Sequence, residues 1–205
     1  GQYDRAIEDY NKAIALDPNL SEPYYNRGAA YADKGQLDRA IEDYNKAIAI
    51  NPNNADAYYN RGNTYYKKGQ YDRAIENYNR AIALNPNYAK AYNNRGLAYN
   101  DKGQYDRAIE DYNKAIALDP NYAEAYVNRG IAYGNKGQYD RAIEDYNIGI
   151  AINPNLAKVY GNRGLAYFFS GNRGRAISDF QKACDLGSED GCKAFKALQK
   201  VLQDR

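Results

Sequence analysis

The chain contains no histidine, tryptophan or methionine, and it has only two cysteines in 205 residues. The absence of histidine excludes most zinc sites, serine–histidine triads and histidine general bases. No apolar run approaches the roughly 18 residues that a membrane-spanning helix needs, so membrane insertion is not expected. Lys and Arg total 28 against 26 Asp and Glu, and this near-neutral balance disfavours a dedicated nucleic-acid binder.

What the chain does have is a long internal repeat, first indicated by its 24 tyrosines. The residues from Gly1 to Asn19 recur unchanged from Gly103 to Asn121. A period of 34 residues divides the chain into a half repeat, five full repeats and a tail. The predicted boundaries are 1–20 for the half repeat, 21–54, 55–88, 89–122, 123–156 and 157–190 for repeats 1 to 5, and 191–205 for a C-terminal capping helix.

Each repeat predicts two helices. The first is expected to start near the second residue of the repeat and to end before a glycine, which suits a left-handed helix C-terminus. The second carries apolar residues at steps of three and four and is expected to stop before a proline. The glycines are Gly35, Gly69, Gly103, Gly137 and Gly171, and the prolines are Pro18, Pro52, Pro86, Pro120 and Pro154.

A second glycine recurs inside each first helix, for example Gly28 and Gly62. Because a glycine in a helix interior costs about 1 kcal/mol relative to alanine, we expect it to permit a close helix–helix contact, with Ala40 and its equivalents opposite.

The conserved spacing within the repeats resembles the tetratricopeptide repeat (TPR). In repeat 2 the matching residues are Tyr58, Arg61, Gly62, Tyr65, Ala74, Tyr78, Ala81 and Pro86, with Tyr in place of the family's usual Trp and Arg in place of its usual Leu. The resemblance implies an all-α fold, a right-handed α-solenoid superhelix over residues 1–190, with the first helices lining a concave, ligand-facing surface. In the tail, the apolar residues Phe195, Leu198, Val201 and Leu202 at helical spacing look like the extra helix that closes such arrays.

The repeats differ mainly at positions two, five, nine, twelve and thirteen, of which two, five, nine and twelve share one face of the first helix. In the TPR family this is the ligand-facing stripe. Residues on this face differ between repeats while most other positions stay the same, and this pattern favours a peptide-binding groove. Sequence drift on an exposed face is the alternative explanation. The predicted contact residues on this face are Tyr25, Tyr59, Asn63, Tyr66, Lys90, Asn93 and Phe168.

An asparagine occupies position six of every full repeat: Asn26, Asn60, Asn94, Asn128 and Asn162. A primary amide can bind the C=O and N–H of a peptide backbone together, whatever the side chain. The series resembles the asparagine ladder of the O-linked N-acetylglucosamine transferase family, which implies binding of an extended chain. This hypothesis requires the amides to be free of other side chains, and recent duplication would equally explain their repetition. The clamp by which some TPR proteins bind acidic chaperone tails is disfavoured, because Glu124 and Asn128 occupy its Lys and Arg positions.

Arginines also recur, at position seven, and invite a basic-patch interpretation. We expect them instead to pair with the aspartates at position 23 of the second helix, as Arg27 with Asp43. The tyrosines at positions four, eleven and 24 are expected in the core. Phe168 and Phe169 are expected either to form an apolar pocket near the C-terminal end or to contact the tail.

The two cysteines, Cys184 and Cys192, flank the predicted corner between the last repeat and the tail. Their spacing resembles the disulfide spacing of Sel1-like repeat proteins, which implies a bridge that holds the capping helix. The alternative is that Cys184 is a small buried apolar group. A bridge would favour a periplasmic or secreted location in a bacterium, and its absence a cytoplasmic one.

No feature supports catalysis, a metal site or a cofactor, since neither cysteine has a histidine to activate it and no phosphate-binding loop is present. The sequence predicts a protein–protein interaction scaffold that binds an extended peptide or a partner helix in the groove. The alternatives are a self-assembling scaffold, in which the uncapped half repeat exposes Ala6, Ile7, Tyr10 and Ile14, and RNA binding, which the charge disfavours. The partner, and whether the repeats are natural duplicates or a consensus design, stay open.

Overall fold

The structure, a computed structural model, describes residues 1–203, with side chains described up to Val201. Every regular element in this range is an α-helix, and the all-α fold predicted from the repeat is confirmed. The helices are α1 Gln2–Leu16, α2 Ser21–Asp33, α3 Leu37–Ile50, α4 Ala55–Lys67, α5 Tyr71–Leu84, α6 Ala89–Asp101, α7 Tyr105–Leu118, α8 Ala123–Asn135, α9 Tyr139–Ile152, α10 Ala157–Phe169, α11 Arg173–Asp185 and α12 Glu189–Gln203.

Proline and glycine terminate the helices as the sequence predicts. The second helices α3, α5, α7 and α9 each end two residues before a proline. The first helices are followed by Gly35, Gly69, Gly103, Gly137 and Gly171, all with φ between 71° and 84°. Only glycine adopts this left-handed backbone without strain, so the turn between the paired helices depends on it. The first helices start at the first residue of the repeat, one residue earlier than predicted.

The chain divides into an N-terminal half, Gly1–Lys102, and a C-terminal half, Gly103–Arg205, which are described separately. Within each half a helix packs on its sequence neighbours, as expected for helical hairpins stacked in order. Helices two apart also touch: α2 with α4 and α4 with α6 in the first half, and α8 with α10 and α10 with α12 in the second. The first helices of successive repeats therefore share one face in each half, which we call the first-helix face.

The glycine inside each first helix lies against an aromatic ring of the second helix. A Cβ built on Gly28 would lie 3.0 Å from Cε1 of Tyr44, and one on Gly130 would lie 2.7 Å from Cε1 of Tyr146. The prediction that the alanine equivalent to Ala40 lies opposite this glycine is confirmed in repeats 4 and 5, where the backbone oxygens of Ala142 and Ala176 would lie 3.2 and 3.3 Å from the added Cβ, and the ring at position 24 approaches the glycine more closely still. The absent side chain thus makes room for a buried tyrosine, consistent with the predicted core role of Tyr44 and Tyr146.

The predicted pairing of arginine and aspartate is confirmed in three repeats. Arg27 donates from Nε and Nη2 to the two carboxylate oxygens of Asp43, at 2.8 and 2.7 Å. Arg129 binds Asp145 and Arg163 binds Asp179 in the same bidentate way. The hydrogen-bonded carboxylates raise the pKa of these three guanidinium groups, so the arginines do not form a free basic patch.

Repeat 2 departs from this pattern because asparagine replaces the aspartate. Arg61 keeps only one bond to its partner helix, from Nε to Oδ1 of Asn77 at 2.7 Å. The amide nitrogen of Asn77 instead donates to the backbone oxygen of Arg73 at 2.7 Å. Burial lowers the pKa of Arg61, which has no carboxylate to offset the loss of water.

The tail forms α12, which begins two residues before its predicted start. Leu198 is buried in a cluster with Ala176 and Phe180, and Phe195 packs partly against it. Val201 is 49% exposed, while the side chain of Leu202 and residues 204–205 lie outside the described part of the chain. A disulfide joins Cys184 to Cys192 across the α11–α12 turn, with a Cα–Cα distance of 4.5 Å. Of the two interpretations of Cys184, the bridge is therefore the one observed.

Candidate functional site

A groove of about 420 Å³ lies on the first-helix face of the N-terminal half, and we call it the N-terminal groove. Its walls come from α2, α4 and α6, and its floor from Tyr44 of α3. The face forms because the first helices touch one another while the second helices pack behind them. Four predicted contact residues meet in this groove: Asn60, Asn63, Tyr66 and Asn94.

Asn60 is half-buried and only partly engaged by the protein. Its amide nitrogen donates one hydrogen bond, to the hydroxyl of Tyr25 at 2.9 Å. A primary amide has two N–H donors and a carbonyl acceptor, so one N–H and the side-chain carbonyl have no partner within residues 1–203. These two groups are the pair that binding to a peptide backbone requires.

Asn94 is engaged by other side chains on both its donors and its acceptor. Its amide nitrogen donates to the hydroxyl of Tyr59 at 3.0 Å and to Oδ1 of Asn63 at 2.9 Å, and its Oδ1 accepts from Asn93 at 3.0 Å. Asn63 also accepts from the hydroxyl of Tyr78 at 2.8 Å. The expectation that every ladder amide is free of other side chains was therefore wrong at Asn94.

The three remaining ladder residues lie on α2, α8 and α10. Asn26, Asn128 and Asn162 are all half-buried. Asn162 lines a smaller groove of about 200 Å³ in the C-terminal half, together with Ile131, Tyr139, Tyr146, Leu165 and Phe169. The ladder residues thus occupy equivalent helix positions in different local surroundings.

Position five of the first helix faces the next repeat more than it faces solvent. The ring of Tyr59 lies 4.9 Å from that of Tyr88, centroid to centroid, and its hydroxyl accepts from Asn94. Tyr25 supports Asn60 in the same way, and Asn93 is only 3% exposed. Tyr25 and Tyr59 thus connect repeats, because a tyrosine at position five reaches the amide at position six of the next first helix. Asn93 instead donates to Asn94 of its own helix.

The remaining predicted contact residues are more accessible. Tyr66 lines the N-terminal groove and donates from its hydroxyl to Oδ2 of Asp101 at 2.5 Å. Lys90 is exposed in the first turn of α6. Phe168 is 39% exposed and faces the tail helix across an apolar groove, while Phe169 stacks on Tyr139 at 5.4 Å. Of the two expectations for the phenylalanines, the apolar pocket is confirmed at Phe168, while Phe169 lines the smaller groove beside Tyr139.

The chemistry of the N-terminal groove is that of hydrogen-bond donors and acceptors. Burial raises the pKa of Tyr25, Tyr59 and Tyr66, so their hydroxyls stay protonated at neutral pH and can donate. Among residues 1–203, no group of three or more Cys, Asp or Glu side chains is arranged to ligate a metal ion. In the same range, no helix combines the length and the apolar character needed to cross a membrane.

Sequence reasoning missed several residues of the N-terminal groove. Asp33, Thr64 and Lys67 also line it, and Asp101 holds the hydroxyl of Tyr66. Position thirteen, occupied by Asp33 and Lys67, varies between repeats and could have been included, and position ten, occupied by Thr64, directly follows the variable position nine. The contact between Tyr66 and Asp101 joins two repeats, so the pattern of residues within a single repeat does not predict it.

Comparison with known families agrees with this architecture. A TPR repeat model matches residues 1–35, 29–69, 62–103 and 96–137, and tetratricopeptide repeat models match residues 123–156 and 157–188. No curated protein sequence matches the chain significantly.

Solved structures with the same fold include several TPR proteins. MamA is 34% identical, with a TM-score of 0.72, over 81% of this chain and 91% of that chain. YrrB, described as a TPR protein with an unusual peptide-binding site, is 26% identical with a TM-score of 0.74, over 94% and 99% of the two chains. The Cut9–Hcn1 hetero-tetramer of the APC/C is 22% identical with a TM-score of 0.81, over 96% of this chain and 39% of that chain, and shares the fold alone.

The repeat matches and the stacked helix pairs lead to the same result. Repeats of this kind are generally non-enzymatic and act as scaffolds for interactions with other proteins. The chain belongs to the tetratricopeptide repeat family.

Proposed function

We propose that the chain is an interaction scaffold that binds an extended peptide in its N-terminal groove. The observation that carries the proposal is the state of Asn60, which keeps one N–H donor and its carbonyl unengaged at the groove wall. An extended peptide backbone offers a matching C=O and N–H at each residue. The description of YrrB as a peptide-binding TPR protein supports this assignment.

The surroundings of Asn60 favour a peptide backbone over a purely apolar ligand. Asn63 and Asn94 line the same wall, with Tyr66 and Lys67 nearby. The network through Tyr59, Tyr78 and Asn94 orients Asn63, so part of the polar surface is held in place before a peptide arrives. Such preorganisation lowers the entropy lost on binding.

Replacement of Asn60 tests the proposal. Peptides selected on the intact chain from a random library displayed on phage are the probe, and their affinity is measured by fluorescence anisotropy. Asn60→Ala is expected to weaken binding about threefold to tenfold, because one or two hydrogen bonds of about 0.5–1.5 kcal/mol each are lost.

Two variants serve as controls for this measurement. Asn53→Ala removes an amide side chain from an exposed loop and should leave affinity unchanged. Asn94→Ala removes an amide whose donors are already engaged, so it should lower thermal stability more than affinity. Unchanged affinity in Asn60→Ala, or an equal loss in Asn53→Ala, would contradict peptide binding by this groove.

A second candidate function, self-assembly through the repeat ends, is favoured by the exposure of α1. None of its residues is buried, and Leu16 and Leu20 next to its C-terminal end are 88% and 48% exposed. The predicted stripe of Ala6, Ile7, Tyr10 and Ile14 is half-buried against α2. Apolar groups exposed to water favour contact with a second copy.

Light scattering coupled to size-exclusion chromatography tests self-assembly. The molar mass is expected to rise with protein concentration, and Leu16→Glu should abolish the rise because it places a charge in the contact. Ala49→Glu, a matched change on the exposed side of α3, should leave association intact. A strict monomer at the highest attainable concentration would exclude this function.

A further inference from the structure

Another groove on the first-helix face, separate from the smaller groove around Asn162, has a chemistry opposite to that of the N-terminal groove. It lies in the C-terminal half between α10, α11 and α12 and has a volume of about 300 Å³. We call it the C-terminal groove. Its wall from α10 is formed by Leu165 and Phe168, and its floor includes Phe180. Leu165 and Phe168 are 47% and 39% exposed, so large apolar surfaces face solvent here.

The two grooves are built from equivalent helix positions. The sixth, ninth, tenth and thirteenth residues of the helix that follows the floor helix, α4 after α3 and α12 after α11, line both of them. In α4 these residues are Asn60, Asn63, Thr64 and Lys67, and in α12 they are Ala194, Ala197, Leu198 and Val201. Every polar side chain at these positions of the N-terminal groove is therefore replaced by an apolar one in the C-terminal groove.

The opposite wall and the floor change in the same direction. The ninth and twelfth residues of α2 are Ala29 and Ala32, where α10 has Leu165 and Phe168. On the floor, Phe180 occupies the place of Tyr44 and lacks its hydroxyl. The C-terminal groove thus keeps the architecture of the N-terminal groove but offers apolar contact in place of backbone hydrogen bonds.

Arg173 is the one charged residue that lines the C-terminal groove. It is exposed, and no ion pair joins it to an acidic residue within residues 1–203. The groove therefore combines a large apolar surface with an uncompensated positive charge.

We propose that the C-terminal groove binds a partner segment that carries a large apolar side chain, leucine or phenylalanine, beside an acidic side chain. The apolar side chain packs between Leu165, Phe168 and Leu198, where its burial supplies most of the affinity. The acidic side chain pairs with Arg173 and sets the orientation of the segment. This inference rests on the proposed interaction function but uses a different surface, in the other half of the chain.

A peptide selection with counter-selection tests the proposal. Random peptides are displayed on phage through their carboxyl ends, so that no free C-terminal carboxylate is present. They are selected on the intact chain and depleted on the Phe168→Asn variant. The retained peptides are expected to share a leucine or phenylalanine next to an aspartate or glutamate and to bind with a dissociation constant on the order of 10 to 100 µM.

Three variants decide the outcome. Phe168→Asn should weaken these peptides at least tenfold, whereas Ala32→Asn, the equivalent change in the N-terminal groove, should not affect them. Arg173→Glu should reverse the charge preference, so that peptides with lysine in place of the acidic residue bind best. All three positions are at least partly exposed, so folding is checked by an unchanged melting temperature.

Several results would overturn the proposal. They are retention of no peptide, retained peptides without an acidic residue, or an equal loss of binding in Ala32→Asn. A rise in molar mass that Phe168→Asn abolishes would assign the groove to a second copy of the chain instead. Because the N-terminal groove is tested by Asn60→Ala, failure of one proposal does not imply failure of the other.

Discussion

Asp145→Asn is expected to lower the free energy of unfolding by about 1.5 to 3 kcal/mol, the usual contribution of hydrogen bonds to charged groups. In the native protein Arg129 binds Asp145 through two hydrogen bonds, of 2.9 and 2.7 Å, with the two side chains 19% and 4% exposed. The amide that replaces the carboxylate can accept from only one of the two donors. Arg61 and Asn77 already show the outcome, since Asn77 accepts a hydrogen bond only from Nε of Arg61.

The same repeat provides the reverse experiment. Asn77→Asp should restore the bidentate pair with Arg61 and raise the free energy of unfolding by about 1 kcal/mol, a net gain reduced by loss of the bond from Asn77 to the backbone of Arg73. Urea denaturation followed by circular dichroism measures both variants, and native-state hydrogen exchange locates the change. Shifts of the same sign in the two variants would contradict the role assigned to the buried carboxylates.

Reduction of the disulfide between Cys184 and Cys192 is expected to destabilise the docking of α12 by about 2 to 3 kcal/mol, because a closed loop of eight residues no longer limits the unfolded chain. The effect should concentrate in α12, since the bridge joins this helix directly to α11. Faster amide exchange in Glu189–Gln203 and a lower melting temperature in reductant are the measurements.

The double variant Cys184→Ser, Cys192→Ser is the control for this experiment. It should resemble the reduced protein and should not respond to reductant. Reduction should also weaken peptide binding to the C-terminal groove, because α12 supplies one wall of that groove. Equal amide exchange in α12 with and without reductant would show that packing of Leu198 alone holds the helix.

Much of the fold follows from local rules that a sequence displays directly. Proline ends the second helices, and glycine with positive φ ends the first ones, as predicted from their positions alone. The pairing of Arg27 with Asp43 was also predictable, because opposite charges recur at a fixed spacing on adjacent helices. The spacing of Cys184 and Cys192 was compatible with either a disulfide or a buried thiol, and the structure contains the disulfide.

Predictions that depended on the direction of a side chain were less accurate. The aromatic ring at position 24, such as Tyr44 beside Gly28, makes the closest approach to the glycine, whereas only the alanine at position 20 was expected there. Asn94 was expected to be free, but Tyr59 and Asn63 from the preceding repeat reach it. Both features depend on how neighbouring helices are placed, which the pattern within one repeat does not define.

By itself, the sequence determined the period, the helices and their ends, because these depend on backbone conformation and on residues at most a few positions apart. Only the tertiary structure decided which amides remain available and where a polar groove gives way to an apolar one. Asn60 and Asn94 occupy identical positions in their repeats, yet they differ in hydrogen bonding, because position nine of the preceding first helix is Ala29 before Asn60 and Asn63 before Asn94. The capacity of each groove to bind a ligand is thus set by contacts between repeats, where residues distant in sequence satisfy or leave open the same polar group.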